Sequence, residues 1–160
     1  MTAATMPTDT QAREARPEPL SLARLDEVLA IEAQAHPHPW SRRQFTDALA
    51  SGYRIDLLLG GDQVLGYFVA MRGVEEAHLL NLTVAPAFQH QGWGQILLDA
   101  LALWARGQGL QWLWLEVRMG NDRARAVYQA NGFQQVGLRK RYYPAAGDAR
   151  EDALVMSRAL

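Results

Sequence analysis

The stretch "VAPAFQHQGWGQILLDAL" (Val84–Leu101) follows an apolar, strand-like segment and opens an apolar-periodic, helical one. At the junction, Gln89, Gly92 and Gly94 form a Q-x-x-G-x-G run. Glycines lack a Cβ, so backbone N–H groups can approach a ligand closely, and the helix that follows adds the positive end of its dipole. That combination suits an anion such as a phosphate. The dinucleotide pattern G-x-G-x-x-G and the triphosphate pattern G-x-x-x-x-G-K-[ST] are both missing, which points to an anion of another kind.

Upstream, "YRIDLLLGGDQVLGYFVAMRGVEEAHLLNLTVAP" predicts three consecutive antiparallel strands, Arg54–Leu59, Gln63–Arg72 and Ala77–Val84, with a turn at Gly60-Gly61-Asp62. Before them, Leu22, Leu25, Val28, Leu29 and Ile31 recur at helical spacing and predict a helix over Leu20–Ala35 with Ser21 as cap. The proline-rich "AHPHPWS" breaks it, and a second helix runs from Ser41 to near Gly52. Downstream, the pattern predicts a helix over Gly94–Arg106 ended by Gly107 and Gly109, then a strand "LQWLWLEVR". A helix capped by Asn121 and closed at Gly132 follows, and then strands over Phe133–Tyr142 and Ala153–Leu160.

At 160 residues and 49% hydrophobic content, the chain is expected to form one domain from Leu20 to Leu160, behind a polar, disordered lead-in over Met1–Pro19. A net charge of −1 argues against direct nucleic-acid binding, which needs a basic face. Without cysteine there is neither a disulfide framework nor a thiolate metal site, and the four histidines show no ligand spacing, so no metal is expected. No apolar run reaches the length of a membrane span, and the first residues lack a signal-peptide core, so a cytoplasmic protein without a membrane partner is expected.

The strand ending at Arg118 alternates with period two, placing Leu113, Leu115 and Val117 on one face and Trp112, Trp114, Glu116 and Arg118 on the other. A carboxylate beside tryptophan surface is desolvated, which would raise its pKa and suit it to accept a proton. Read alone, Glu116 fits equally well an edge glutamate turned to solvent. Asn121, Ala124 and Tyr128 share one stripe of the next helix. This fits a tyrosine aimed at the same place as Glu116, and also a core residue behind a helix cap. "RKRYYP" (Arg139–Pro144) reads as a hairpin whose tyrosines grip a peptide backbone, or as an exposed strand end.

Taken together, these residues resemble the GNAT family of acetyl-CoA-dependent N-acetyltransferases. Gln89, Gly92 and Gly94 match its Q/R-x-x-G-x-G/A motif, and Asn121, Ala124 and Tyr128 match its N-x-x-A-x-x-x-Y helix. Within the family, "AHPHPWS", "LWLEVR", "RYYP" and "AREDALVM" are similar to the ribosomal-protein-alanine N-acetyltransferases. Ala149 departs from the glycine expected before Arg-Glu-Asp, and "YPAAGDARED" is about one residue longer than usual.

The resemblance implies a mixed, mostly antiparallel α/β sheet of six to seven strands with helices on both faces. It implies that Gln89, His90, Gln91, Gly92, Trp93, Gly94 and Gln95 cradle the pyrophosphate of acetyl-CoA, and that Asn121 and Tyr128 also meet the cofactor. The pantetheine arm would lie along Leu82 and Val84, with the Val84 N–H a candidate oxyanion donor. Pro39, Trp40, Asn81, Tyr142 and Tyr143 would bind the acceptor, Glu116 would be the general base, directly or through a water, and Tyr128 the general acid. The implied partner is the amino terminus of a small-subunit ribosomal protein, the eighteenth, whose alanine is acetylated by direct transfer. With no cysteine in the chain, an acetyl-cysteine intermediate is excluded. An α-amine and a lysine differ in reference pKa by about 2.4 units, or roughly 3.3 kcal/mol of deprotonation cost, which favours the α-amine as acceptor. The rival readings are a GNAT enzyme for lysines or small amines and a noncatalytic acyl-CoA-binding module.

Overall fold

Seven strands form one mixed sheet in the order β1-β2-β3-β4-β5-β7-β6. They are β1 (Ala15–Pro19), β2 (Arg54–Gly60), β3 (Gln63–Arg72), β4 (Glu76–Val84), β5 (Trp112–Arg118), β6 (Gln134–Pro144) and β7 (Arg150–Ala159). The helices are α1 (Leu25–Ala35), α2 (Arg42–Ala50), α3 (Trp93–Gly107) and α4 (Asp122–Ala130). This computed structural model describes residues 15–160. β1 pairs antiparallel with β2, β2 with β3, β5 with β7 and β6 with β7, whereas Glu76–Leu79 of β4 runs parallel to Trp112–Leu115 of β5. A parallel neighbour needs a crossover connection, and the segment carrying α3 supplies it.

The described residues group into two compact units, 15–71 with Asn81–Leu101, and Arg72–Leu80 with Ala102–Leu160. In the first, the disordered lead-in expected through Pro19 must be corrected. Ala15–Pro19 pairs with β2 from Ala15↔Gly60 to Pro19↔Asp56. Pro17 and Pro19 hid this strand from a propensity reading, yet β1 is an edge strand, where a missing N–H on the open side costs nothing. The rest of the lead-in lies outside the described residues. The first helix also starts later than its apolar spacing predicts. Leu22–Arg24 is a 3-10 turn, Ser21 makes no side-chain cap, and Leu22 points into solvent, so the α-helix begins at Leu25. α2 starts as its sequence indicates: Gln44 N–H donates to Ser41 Oγ (3.2 Å) and Ser41 N–H to Gln44 Oε1 (2.8 Å), a reciprocal capping box.

The core of this unit gathers Leu25, Val28, Phe45, Leu57, Tyr67, Phe68, Trp93, Leu97 and Leu98, all buried. Gly66 sits inside β3 where the backbone of β4 comes close. A Cβ there would lie 2.5 Å from the Thr83 carbonyl oxygen and 2.9 Å from Leu97 Cδ1.

In the second unit, β5 buries Leu113, Leu115 and Val117 on one face, as its alternation predicts, and its other face runs from exposed Trp112 to a nearly buried Glu116 side chain. Asn121 caps α4, its Oδ1 accepting from Ala124 N–H at 3.2 Å. The final hairpin extends past the apolar residues that suggested its limits, because Tyr143↔Glu151 and Pro144↔Arg150 also pair. Its register shifts twice, between Gln135 and Gly137 and between Arg139 and Tyr143.

Gly66→Ala is expected to destabilise the protein by about 1–3 kcal/mol, the usual cost of overpacking, because a carbonyl of the neighbouring strand cannot swing aside. Gly107→Ala, with nothing within 4 Å of the added carbon, is the control that should leave the thermal midpoint nearly unchanged.

Candidate active site

In the first unit, β4 leads through a 3-10 turn (Pro86–Phe88) into the loop before α3. Gln89 Nε2 donates to the Val84 carbonyl at 3.1 Å, tying the loop back to the strand end and occupying that oxygen. His90 (φ 64°) and Gly92 (φ 90°) are both left-handed, so the backbone winds tightly into the helix. Trp93 is buried in the core and its Nε1 donates to Gln91 Oε1 at 3.3 Å. Trp93 was expected among the anion contacts, but its ring is packing, and only its backbone N–H is available to a ligand. Gln95 donates to Asp99 within the helix (3.0 Å). The first turn of α3 carries no acidic side chain of its own, which suits its N–H groups and positive dipole end to an external anion. These residues fit a phosphate-bearing ligand on backbone chemistry alone.

Of the expected acceptor residues in this unit, Pro39 is exposed in the loop between α1 and α2, and Trp40 lies at its end against Phe45 (centroids 5.2 Å apart). Asn81 is different. Its Nδ2 donates to Glu32 Oε1 (2.9 Å) and its Oδ1 accepts from Thr83 Oγ1 (2.7 Å), so both ends of the amide are used inside the protein. Leu82 and Val84 alternate with Asn81 and Thr83 and so belong to the opposite face of β4.

In the second unit, Glu116 does not sit against bare tryptophan surface as its spacing suggested. Its Oε2 contacts His78 Nε2, and its Oε1 lies 3.2 Å from Arg139 Nε without hydrogen-bond geometry. Trp112 is largely exposed, while Trp114 stacks on the His78 ring at 3.8 Å and 12°. His78 and Arg139 are the partners a local reading misses. The parallel register His78↔Trp114 puts the imidazole on the Glu116 face of the sheet, and only cross-strand pairing reveals it.

Tyr128 packs edge-on against Phe133 (5.6 Å), and burial pushes its hydroxyl up to about 12, so it stays protonated at neutral pH and can donate. The Asn121 side chain is engaged as the α4 cap, which leaves less of it for a ligand than expected. Tyr142 and Tyr143 meet edge-to-face (4.9 Å). Arg118 lies over the Tyr143 ring at 4.5 Å and Arg139 over the Tyr142 ring at 5.4 Å. The Tyr143 hydroxyl is held well above its ordinary value, by burial first and then by the Glu116 charge.

The acidic "ARED" segment fixes this hairpin. Glu151 accepts from Arg118 (3.1 Å) and from Gly120 N–H (3.0 Å), which draws its pKa down. Asp152 Oδ1 accepts from the N–H of left-handed Arg141 (2.8 Å). The turn itself closes through Ala145 N–H to Ala149 O (3.0 Å) and Ala149 N–H to Ala146 O (3.2 Å). The left-handed position in that turn belongs to Gly147, so the backbone does not require a glycine at 149.

The acetyltransferase (GNAT) family matches residues 22–133 of this chain. The [ribosomal protein bS18]-alanine N-acetyltransferase of Haemophilus influenzae is 36% identical over 132 residues, 82% of this chain and 90% of that protein. The enzyme of the same name from Escherichia coli K12 is 36% identical over 127 residues, covering 79% and 85%. The crystal structure of the ribosomal-protein-S18-alanine N-acetyltransferase from Escherichia coli superposes with a TM-score of 0.84 at 33% identity, covering 91% of this chain and 93% of that one.

Gly92 and Gly94 make different demands, and so do their variants. Gly92→Ala forces a Cβ-bearing residue left-handed, costing about 1–2 kcal/mol, and should weaken acetyl-CoA binding by about tenfold in calorimetry. Gly94→Ala, whose added carbon has its nearest neighbour at 3.9 Å, should fold normally. Unchanged affinity in a folded Gly92→Ala protein would remove the anion cradle.

Proposed function

For a chain that belongs to the GNAT acetyltransferase family, we propose the transfer of acetyl from acetyl-CoA to the free amino-terminal alanine of ribosomal protein bS18 in the cytoplasm. The observation that carries this reading is the identity of 36% to enzymes of that name across about four-fifths of the chain. The chain is an acyltransferase by family; the acceptor and the residue roles are our proposal.

Acetyl-CoA supplies an activated thioester carbonyl. Its pyrophosphate is received by the N–H groups between His90 and Gln95, and its pantetheine arm by the backbone of Leu82 and Val84. The Val84 N–H is assigned to polarise the thioester oxygen, on a strand end that Gln89 holds through the Val84 carbonyl. Glu116 takes a proton from the acceptor amine, directly or through a water. Its Oε1 makes no hydrogen bond within the protein, while His78 on Oε2 and the nearby Arg139 guanidinium fix the carboxylate's orientation. The Tyr128 hydroxyl, kept protonated by burial, gives its proton to the departing sulfur. Pro39, Trp40, Tyr142 and Tyr143 meet the peptide, and Asn81 contributes through what it holds rather than through its own amide.

Glu116→Gln should lower kcat by about 10²-fold or more, partly recovered at high pH where the amine deprotonates unaided. Tyr128→Phe should lower kcat with acetyl-CoA affinity retained. Because the two groups serve one reaction, the double variant should lose less than the product of the single losses. Near wild-type turnover in both single variants would take away these roles while leaving the cofactor assignment in place.

The acceptor is tested with two peptides, one with a free amino-terminal alanine and one blocked at the terminus but bearing a free lysine. Mass spectrometry should find acetyl on the first alone. Equal modification of both would end the N-terminal assignment.

A further inference from the structure

Glu32 has no place in the mechanism above, yet it is the most completely buried acid among the described residues, with 1% of its surface exposed. Its side chain meets three hydrogen-bond donors, each from a different element. Tyr67 Oη on β3 donates to Oε1 at 2.6 Å, Asn81 Nδ2 on β4 donates to the same oxygen at 2.9 Å, and the backbone N–H of Trp40 donates to Oε2 at 3.0 Å. His36 Nε2 lies 3.7 Å from Oε1. Burying an acid costs free energy that an apolar residue of the same size would not, so packing alone does not explain it.

The acid sets the direction of a chain of hydrogen bonds. A carboxylate only accepts, so the Asn81 amide must turn its NH₂ toward Glu32 and its oxygen toward Thr83. Thr83 spends its one hydroxyl proton on that oxygen. Thr83 Oγ1, 2.7 Å from His36 Nε2, is thus left to accept, and His36 Nε2 must carry a proton. Burial, followed by the charge of Glu32, raises the Tyr67 pKa well above its ordinary value, so that hydroxyl remains a donor.

The loop between α1 and α2 is therefore tied at both ends. His36 is held to β4 through Thr83, and Trp40 is held by its backbone N–H to Glu32 and by its ring to Phe45. Pro37, His38 and Pro39 stand exposed between these ties, and the two prolines fix their own φ angles. The loop is anchored by one imidazole at its start and one backbone N–H at its end, and is stiffened at its tip.

We propose that Glu32 is a positioning residue that presets residues 36–40 for the acceptor peptide, so that the loop need not be ordered when the peptide arrives. This rests on the reading that the loop meets an amino-terminal acceptor.

Steady-state kinetics on Glu32→Gln, with the alanine peptide and acetyl-CoA varied in turn, test the idea. The substituted amide must set a donor against the Trp40 N–H or the Asn81 NH₂, which breaks one tie. The peptide KM should rise about tenfold or more, while kcat and the KM for acetyl-CoA move by less than about threefold. Thr83→Val, which removes the His36 tie and the bond to Asn81 Oδ1 but leaves the Glu32 carboxylate and its bond to the Trp40 N–H in place, should shift the peptide KM in the same direction by a smaller factor. It serves as the test if Glu32→Gln does not fold. An unchanged peptide KM in the folded variants, even with a lower thermal midpoint, would make Glu32 a residue of stability only and overturn the proposal. A wild-type protein that fails to acetylate the peptide would instead overturn the acceptor reading and this proposal with it.

Discussion

The alternation of β4 governs where the polar chemistry of this protein can sit. Successive residues of a strand point to opposite faces, so His78 on one side and Asn81 and Thr83 on the other are distributed by parity alone. From His78 the chain of contacts runs to Glu116 and Arg139, and from Asn81 and Thr83 it runs to Glu32 and His36. A slip of one residue in β4 would exchange the faces and leave both acids without these partners. Gly66 bears on the same constraint, since the Thr83 carbonyl can approach β3 so closely only where no side chain intervenes.

The acids of the protein are accommodated in chemically distinct ways. Glu32 is surrounded by hydroxyl, amide and backbone donors with a histidine at the margin. Glu116 faces an imidazole and a guanidinium. Glu151, nearer the surface, shares Arg118 with the Pro144 carbonyl and accepts a backbone N–H from Gly120. Neutral donors fix the direction of a network without adding charge, whereas the Arg139 guanidinium beside Glu116 brings a fixed positive charge.

Much of this architecture was legible in the residues. The Ser41–Gln44 capping box, the glycine turn between β2 and β3, the buried face of β5 and the glycine-rich entry into α3 are all written in local spacing. What stayed hidden depends on partners far away in sequence. His78 reads as one residue in an apolar strand until the parallel register sets it beside Trp114. Glu32 reads as the polar side of an amphipathic helix, because nothing nearby announces donors from positions 67 and 81. β1 was concealed by its prolines, which are tolerated only because the strand has a single neighbour. The departure at Ala149 looked like a change to the acceptor hairpin, and the backbone there turns out to need no glycine.

The irregularities of β6 and the prolines of β1 bear on how the molecule behaves among copies of itself. These two strands end the sheet, and an open strand edge is a template on which another chain can pair. β1 presents Pro17 and Pro19, which have no N–H to offer. β6 carries exposed Val136, Leu138 and Tyr142, a composition that invites pairing, but its register is broken on both sides of Leu138 and the second break carries Lys140 and left-handed Arg141. A flat partner strand would find neither a continuous ladder nor a neutral surface. The broken register and charges of β6 thus guard that edge of the sheet against edge-to-edge pairing.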